Sequence, residues 1–363
     1  MNNNHYCVIM AGGVGSRFWP MSKVAHPKQF IDILGIGQTL IQQTFQRFEK
    51  IIPLKNIYVV TNDIYRDIVK KQIPQIHEDN ILCEPLRRNT APCIAYASYK
   101  IYKTNPNANI VVSPSDHIII NELEFLDTIK KSLKITEKNE WLLTLGITPL
   151  RPDTGYGYIQ YTNEMVNAKY PELKKVKTFT EKPSFEVAIS FLESGDFLWN
   201  SGIFIWSVKS IIDALNNYLP ELSSIFNDGI ENLWTDKEPD FIKWVYSVSK
   251  NISIDYGIME KAKNVYVMKS NFGWSDLGTW KSLFDYSNKD ESNNVIIGNN
   301  VLTYNTHDCI VNVPKDKLVI INGLKNYIVV ESDNILLLCN KDDEQMIRQF
   351  VNDVKIKKGD DFI

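Results

Sequence analysis

The chain has 363 residues, 44% of them hydrophobic, and its 40 Lys and Arg against 43 Asp and Glu leave a formal charge of −3. That length allows two or three domains with a sizeable core. Charge so balanced, without a long run of either sign, offers no footprint for nucleic acid or a membrane surface, and no stretch reaches the ~18 apolar residues of a membrane span. Met1 to Tyr6 contains neither the basic nor the apolar segment of a secretory leader, so the cytoplasm is the expected compartment. Cys7, Cys83, Cys93, Cys309 and Cys339 form no CxxC pair and read as reduced core thiols. The histidines make no HExxH spacing, so any metal is expected on carboxylates.

Tyr6 to Met10 is apolar and β-branched enough for a buried strand. Gly12, Gly13 and Gly15 follow, and glycines there let the backbone turn its N–H groups toward an anion. Arg17 adds a planar fork for phosphate oxygens, and Lys28, placed after Pro20 and Pro27, adds a mobile point charge. Ala11, Gly12, Gly13, Gly15, Ser16, Arg17 and Lys28 are therefore the candidate triphosphate site. No Gly-Lys-Ser/Thr follows, as a Walker loop requires, and the run from Gly13 to Phe18 lacks the third glycine of the dinucleotide fingerprint.

The segment instead resembles the signature of the sugar-nucleotide pyrophosphorylases. Its Phe18-Trp19-Pro20 step and its ending Pro27-Lys28-Gln29-Phe30 are similar to those of the mannose-1-phosphate guanylyltransferases, which make GDP-mannose. The resemblance implies an α/β fold: a Rossmann-like, GT-A-like nucleotidyltransferase sheet, mostly parallel, with helices on both faces, followed by a small left-handed β-helix-like domain. It also implies GTP and mannose 1-phosphate as substrates and Mg²⁺ as cofactor.

Further along, helix and strand periods alternate. A helix is expected over Gln38–Lys50, with Leu40, Ile41, Thr44, Phe45 and Phe48 on one face, and a strand over Ile57–Thr61. Helices near Asp63–Lys71, Thr90–Lys103 and Glu122–Lys138 then alternate with strands over Asn80–Glu84, Asn109–Ser113 and Leu142–Gly146. Strands spaced by helices imply a mostly parallel sheet with covered faces, whose ligands sit at the carboxyl ends of strands.

At one such end, Glu84-Pro-Leu-Arg87-Arg88-Asn89-Thr90 enters a helix, and Asn89 or Thr90 is placed as its N-cap. The loop is also similar to the family's base-reading segment. Guanine presents donors on one edge and acceptors on the other, so Glu84, Arg87, Arg88, Asn89 and Thr90 include plausible partners. At another end, Ser113-Pro114-Ser115-Asp116-His117 carries a carboxylate that is either a turn former or, by resemblance, a magnesium ligand, with Ser115 where the family usually has Ala. Gly273-Trp274-Ser275-Asp276 resembles the segment bearing the second ligand. Two carboxylates completed by phosphates and waters suit Mg²⁺, and an Asp→Asn change at either is expected to leave folding intact by relieving repulsion.

Between these carboxylates the alternation breaks. Thr154 to Ile159 is a glycine-aromatic hairpin or loop, Phe179 to Pro183 closes a strand, Phe185 to Ser194 is helical, and Trp199 to Phe204 starts another strand. Packing aromatics on edge strands would account for each segment alone. By resemblance, Gly157, Glu181 and Asn200 hold sugar hydroxyls, Lys182 meets the sugar phosphate, and Asp255 either caps a helix or supports the sugar site.

From about Asp290 short β-rich runs are punctuated by Asn and Gly, and the resemblance makes residues 1–289 the catalytic domain and 290–363 the β-helical one. A final helix over Asp342–Val354 carries Met346, Ile347, Phe350, Val351 and Val354 on one face, a docking or dimer surface that fits the expected homodimer. No isomerase domain follows, so the short form of the family is expected. The expected reaction joins GTP and α-D-mannose 1-phosphate by Mg²⁺-assisted in-line displacement. The alternatives are another sugar 1-phosphate, such as a heptose or glucose, another nucleotide, or a non-catalytic nucleotide-binding homologue. The presence of Lys28, Asp116 and Asp276 counts against the last.

Overall fold

Strands and helices fill the first three quarters of the chain, alternating up to Ile147, in the computed structural model, which describes residues 1–13 and 15–363, Ser16 by its backbone alone. The strands there are β1 (His5–Met10), β2 (Ile57–Asn62), β3 (Ile81–Glu84), β4 (Asn109–Pro114), the two-residue β5 (Ile118–Ile119), β6 (Leu142–Ile147), β7 (Gly157–Tyr161), β8 (Leu173–Glu181), β9 (Phe197–Ser207), β10 (Val265–Ser270) and the two-residue β11 (Trp274–Ser275). The helices are α1 (Leu40–Glu49), α2 (Arg66–Gln72), α3 (Thr90–Thr104), α4 (Glu122–Thr136), α5 (Phe185–Ser194), α6 (Val208–Tyr218), α7 (Pro220–Gly229) and α8 (Glu238–Val248).

Packing gathers the residues into two units, Met1–Gly12 with Thr44–Ser115 and Ile119–Trp274, and Gly13–Gln43 with Asp116–Ile118 and Ser275–Ile363. The division expected at 289/290 follows the sequence, whereas these units interleave. The glycine-rich segment after Gly12 groups with the C-terminal residues.

In the first unit, nine strands of the described residues form one sheet in the order β3-β2-β1-β4-β9-β6-β10-β8-β7. β1 pairs parallel with β2 and β4, β2 with β3, and β10 with β6. β9 enters antiparallel between β4 and β6, and β8 lies antiparallel between β10 and β7. All strands but β8 and β9 therefore point one way, so the sheet is mostly parallel in direction, while these two interrupt the parallel run. For β8 the reason is connectivity: a parallel neighbour needs a crossover, and the turn-rich segment from β7 to β8 contains no helix.

Tyr6 and Val8 of β1 join a buried cluster with Ala91 and Ile94 of α3. Cys7 and Ile9, equally buried, point to the other face by the two-residue period, where α4 packs on β4 and β10. Coverage on both faces explains why β1, β2 and β4 are near-continuous apolar runs. The parallel strands deliver Ala11, Glu84 and Ser115 to one edge of the sheet. Because β9 runs backward, Asn200 sits opposite Gly146, at the carboxyl end of β6.

The second unit adds α9 (Trp280–Tyr286), β12 (Val295–Ile297), β13 (Asn300–Tyr304), β14 (Ile310–Asn312), β15 (Leu318–Asn322), β16 (Tyr327–Ser332), β17 (Ile335–Asn340) and α10 (Ile347–Lys358). β12, β14 and β16 stack in parallel, as do β13 and β15, the pattern of a short β-helix. Its corners place Asn305, Asp308 and Asn326 at positive φ, which Asn and Asp tolerate better than most residues. The apolar stripe of the last helix is not a free docking face. Ile347 is fully buried, and Phe350, Val351 and Val354 pack against the cluster of Phe18, Trp19 and Trp280, leaving Met346 exposed. No helix among the described residues is long and apolar enough to cross a membrane.

Candidate active site

Arg17, Lys28, Asp116 and Asp276 lie in the second unit, with Asp116 and the Asp276 segment around the Lys28 ammonium. Lys28, only 7% exposed, lies 3.0 Å from Asp116 Oδ2 and donates to the carbonyls of Asp276 (2.8 Å) and Leu277 (3.0 Å). An ammonium has three N–H donors, so all are engaged, and a phosphate oxygen reaches Nζ only by replacing one of these acceptors. Lys28 is thus pinned rather than mobile. Its stem explains a glycine: Gly15, at φ +65°, passes so close that a Cβ there would lie 2.7 Å from Lys28 Cγ.

Local turn chemistry holds the other side of the ammonium. Leu277 N donates to Ser275 Oγ at 3.1 Å, and Gly278 N to Asp276 Oδ1 at 2.9 Å. Burial would raise the Asp116 carboxyl, but Lys28 and His117 beside it carry it below the usual carboxylate range. Gln29 donates to the Gly13 carbonyl at 2.9 Å, tying the start of the glycine turn. The fourth residue, Arg17, lies in the turn Ser16–Phe18, with its Nε buried; the Ser16 side chain lies outside the described residues.

In the first unit, Ala11 is fixed by its N–H to the Val60 carbonyl at 2.7 Å and its carbonyl to Thr61 Oγ1 at 2.9 Å. A Cβ on Gly12 would lie 3.3 Å from Glu84 Oε2. Glu84 is buried and accepts from the Tyr246 hydroxyl at 2.9 Å. Burial pushes its carboxyl up to about 7, against the opposing pull of Tyr246 and Arg87. The other residues of this loop are also engaged. Arg88 Nε donates to the Tyr246 carbonyl at 2.9 Å, Arg87 to the Tyr65 hydroxyl at 2.7 Å, and Thr90 Oγ1 accepts from Ile254 N at 2.8 Å. Asn89 precedes α3 at φ +66° and accepts from Thr90 N, so of the two cap candidates it holds the position. The sequence does not single out Tyr246, because its α8 spacing with Ile242 and Val245 reads as core.

The sugar candidates meet in the same unit. Gly157 pairs with Glu181 across β7 and β8, and a Cβ on Gly157 would fall 2.1 Å from Glu181 Oε1. Glu181 Oε2 lies 3.1 Å from Lys182 Nζ. Asn200 Nδ2 donates to Asp255 Oδ1 at 2.8 Å, while its own Oδ1 accepts from Thr144 Oγ1 at 3.3 Å. Burial and the charge of Glu181 raise the Asp255 carboxyl to about 6, against the pull of Asn200 and Lys182. Asp255 caps no helix; it opens a π-helical turn, Asp255–Met259. The arrangement presents carboxylate and amide groups in one place, as polyol recognition requires.

No group of three or more His, Cys, Asp and Glu able to hold a metal occurs among the described residues. Asp116 and the Asp276 segment nevertheless share Lys28, and two carboxylates completed by substrate oxygens and water form a donor set that fits Mg²⁺.

Comparison with known proteins agrees with this architecture. The nucleotidyl transferase family model matches residues 6–293, and residues 298–354 match the MannoseP isomerase/GMP-like beta-helix domain. A mannose-1-phosphate guanylyltransferase of Salmonella montevideo is 36% identical over 363 residues, 98% of this chain and 75% of the relative. One from Escherichia coli is 33% identical over 351 residues, 95% of this chain and 74% of the relative. A crystal structure from Thermus thermophilus, described as a mannose-1-phosphate geranyltransferase, matches with a TM-score of 0.85 at 26% identity, covering 97% of this chain and 99% of that one.

Proposed function

This chain belongs to the nucleotidyl transferases and, among them, to the mannose-1-phosphate guanylyltransferases, and we propose on that premise that it converts GTP and α-D-mannose 1-phosphate to GDP-mannose and pyrophosphate. The observation that carries the reading is the convergence of Asp116 and the Asp276 segment on the buried Lys28, whose stem lies against Gly15 of the glycine turn.

In this reaction an oxygen of the sugar phosphate attacks the α-phosphorus of GTP, and the bond from that phosphorus to the bridging oxygen of the β-phosphate breaks. Pyrophosphate leaves with the electron pair. The second pKa of a phosphate monoester is near ~6, so the nucleophile is already ionised at neutral pH and no general base is needed. This agrees with a site rich in cations, carboxylates and backbone donors.

Catalysis then consists of alignment and charge neutralisation. Lys28 acts at the α-phosphate by giving up one of its three present acceptors. Arg17 and the N–H groups of the glycine turn take the β- and γ-phosphates. The Glu84–Thr90 loop, braced through Arg88 and Thr90, is the guanine platform. Gly157, Glu181, Asn200 and Asp255 hold sugar hydroxyls, and Lys182 the sugar phosphate. Asp116 and Asp276 would hold Mg²⁺, which when bound supplies further neutralisation of phosphate charge.

A homodimer and a cytoplasmic setting belong to the same proposal. Leu302, Tyr304, Leu318, Ile320, Leu336 and Leu338 are exposed large apolar side chains on β13, β15 and β17, and all five cysteines are free thiols.

The test is a panel of the four common nucleoside triphosphates against mannose, glucose and heptose 1-phosphates, with pyrophosphate release as readout. The highest kcat/KM is expected for GTP with mannose 1-phosphate. A higher value for any other pair would overturn the assignment.

A further inference from the structure

The like-charged pair Arg17 and Arg348 is not explained by the packing around it. Arg348 follows Ile347, which is fully buried in the cluster containing Phe18, the neighbour of Arg17. The two neighbours thus bring both arginines to the contact of α10 with the turn Ser16–Phe18, where Arg348 is exposed. Phe350, Val351 and Val354 extend that contact, and Trp19 Nε1 donates to the Phe362 carbonyl at 2.8 Å, tying the end of the chain to the same turn. The Arg17 charge, followed by burial, holds the Arg348 guanidinium below its usual range.

Two guanidinium groups near one another repel, and one carboxylate stands near Arg17 to oppose this. Glu344 is that carboxylate; its Oε2 accepts from Lys281 N at 2.9 Å, and burial raises its pKa. Neither Arg17 nor Arg348 forms an ion pair among the described residues, and Arg17 Nε is buried with no hydrogen-bond partner there. Buried donors of this kind are normally satisfied. Two planar forks at one place match the several oxygens and charges of a polyphosphate.

We propose that Arg348 and Arg17 form a two-arginine clamp for the terminal phosphates of the nucleotide and for the pyrophosphate that leaves. The inference rests on the proposed reaction for its ligand, and it makes α10 part of the substrate site. Lys28 serves the α-phosphate, and the clamp takes the more highly charged end of the nucleotide.

The test uses the full chain and its Arg348→Ala and Arg348→Lys variants, with inorganic pyrophosphate and GMP as probes in calorimetric titrations beside steady-state kinetics. Arg348→Ala should weaken pyrophosphate binding and raise the KM for GTP by about tenfold or more, the effect of losing a charge-assisted contact. The KM for mannose 1-phosphate and the affinity for GMP, which lacks the terminal phosphates, should stay within about twofold. Arg348→Lys should recover part of the loss. Unchanged pyrophosphate and GTP parameters in Arg348→Ala would overturn the clamp, and so would an equal loss of GMP affinity, which marks a structural role. If pyrophosphate binding depends on Arg348 but no GDP-mannose forms, the clamp stands and the reaction falls. If GDP-mannose forms and Arg348→Ala behaves as wild type, the reaction stands and the clamp falls.

Discussion

Lys28 Nζ lies 3.0 Å from Asp116 Oδ2, and the pair is the electrostatic centre of the proposed phosphate site. The same ammonium binds the Asp276 and Leu277 carbonyls, so a single buried cation fixes the positions of both candidate metal-binding segments. Remove the charge on Asp116 and a buried ammonium loses its counter-ion.

Asp116→Asn is therefore expected to destabilise the fold as well as slow the reaction, reversing the sequence-based expectation of relieved repulsion. The cost should be about 1.5–3 kcal/mol at neutral pH, the range for hydrogen bonds to charged groups, and kcat should fall about 100-fold or more. The folded pKa of Asp116 lies below its ordinary 3.8, so its contribution is present above that value and lost as pH falls through the folded pKa. Denaturant unfolding as a function of pH should show the gap between wild type and variant closing only in acid. A variant as stable as wild type at neutral pH would contradict the pairing.

Gly157→Ala should act on the sugar phosphate alone. The added methyl would fall 2.1 Å from Glu181 Oε1, the end of a flexible side chain, so the carboxylate moves and the backbone does not. The KM for mannose 1-phosphate should rise about tenfold with that for GTP within about twofold, since only one substrate loses a contact. Equal rises in both, or none, would remove Gly157 and Glu181 from the sugar site.

Asp255 should give the sugar step a pH dependence of its own. Its carboxyl is raised to about 6, so it accepts hydrogen bonds fully only above that pH. The substrate phosphate titrates near ~6 as well. For wild type, kcat/KM for mannose 1-phosphate should fall with two protons below about pH 6 and in Asp255→Asn with one, because only the phosphate's own step remains. Identical slopes in the two proteins would show that Asp255 does not titrate in the step.

Much of this is legible in the sequence, because local chemistry marks it. Gly12, Gly13 and Gly15 after an apolar strand, and strands alternating with helices up to Gly146, point to the loop and most of the sheet. Long-range pairing leaves no such mark. Trp199 to Phe204 reads as a strand, but nothing local says that β9 inserts backward between β4 and β6 and so brings Asn200 to the carboxyl end of β6. The stripe from Met346 to Val354 reads as a free face because periodicity reports which residues are apolar and not what covers them. Glu84 reads as the end of a strand and the start of a polar loop, and nothing local says that it is buried against Tyr246, a contact across 162 positions. Lys28 reads as mobile because its three acceptors come from segments far along the chain.

The central claim is that this chain makes GDP-mannose by direct displacement. The most direct test incubates the full chain with GTP and Mg²⁺, with and without mannose 1-phosphate, and quantifies pyrophosphate and GDP-mannose together. With the sugar phosphate, the two products should appear in equal amounts, and without it no pyrophosphate should be released. Stoichiometric pyrophosphate release from GTP alone would reveal a guanylylated enzyme and contradict direct displacement, and absence of GDP-mannose with both substrates present would contradict the proposed function itself.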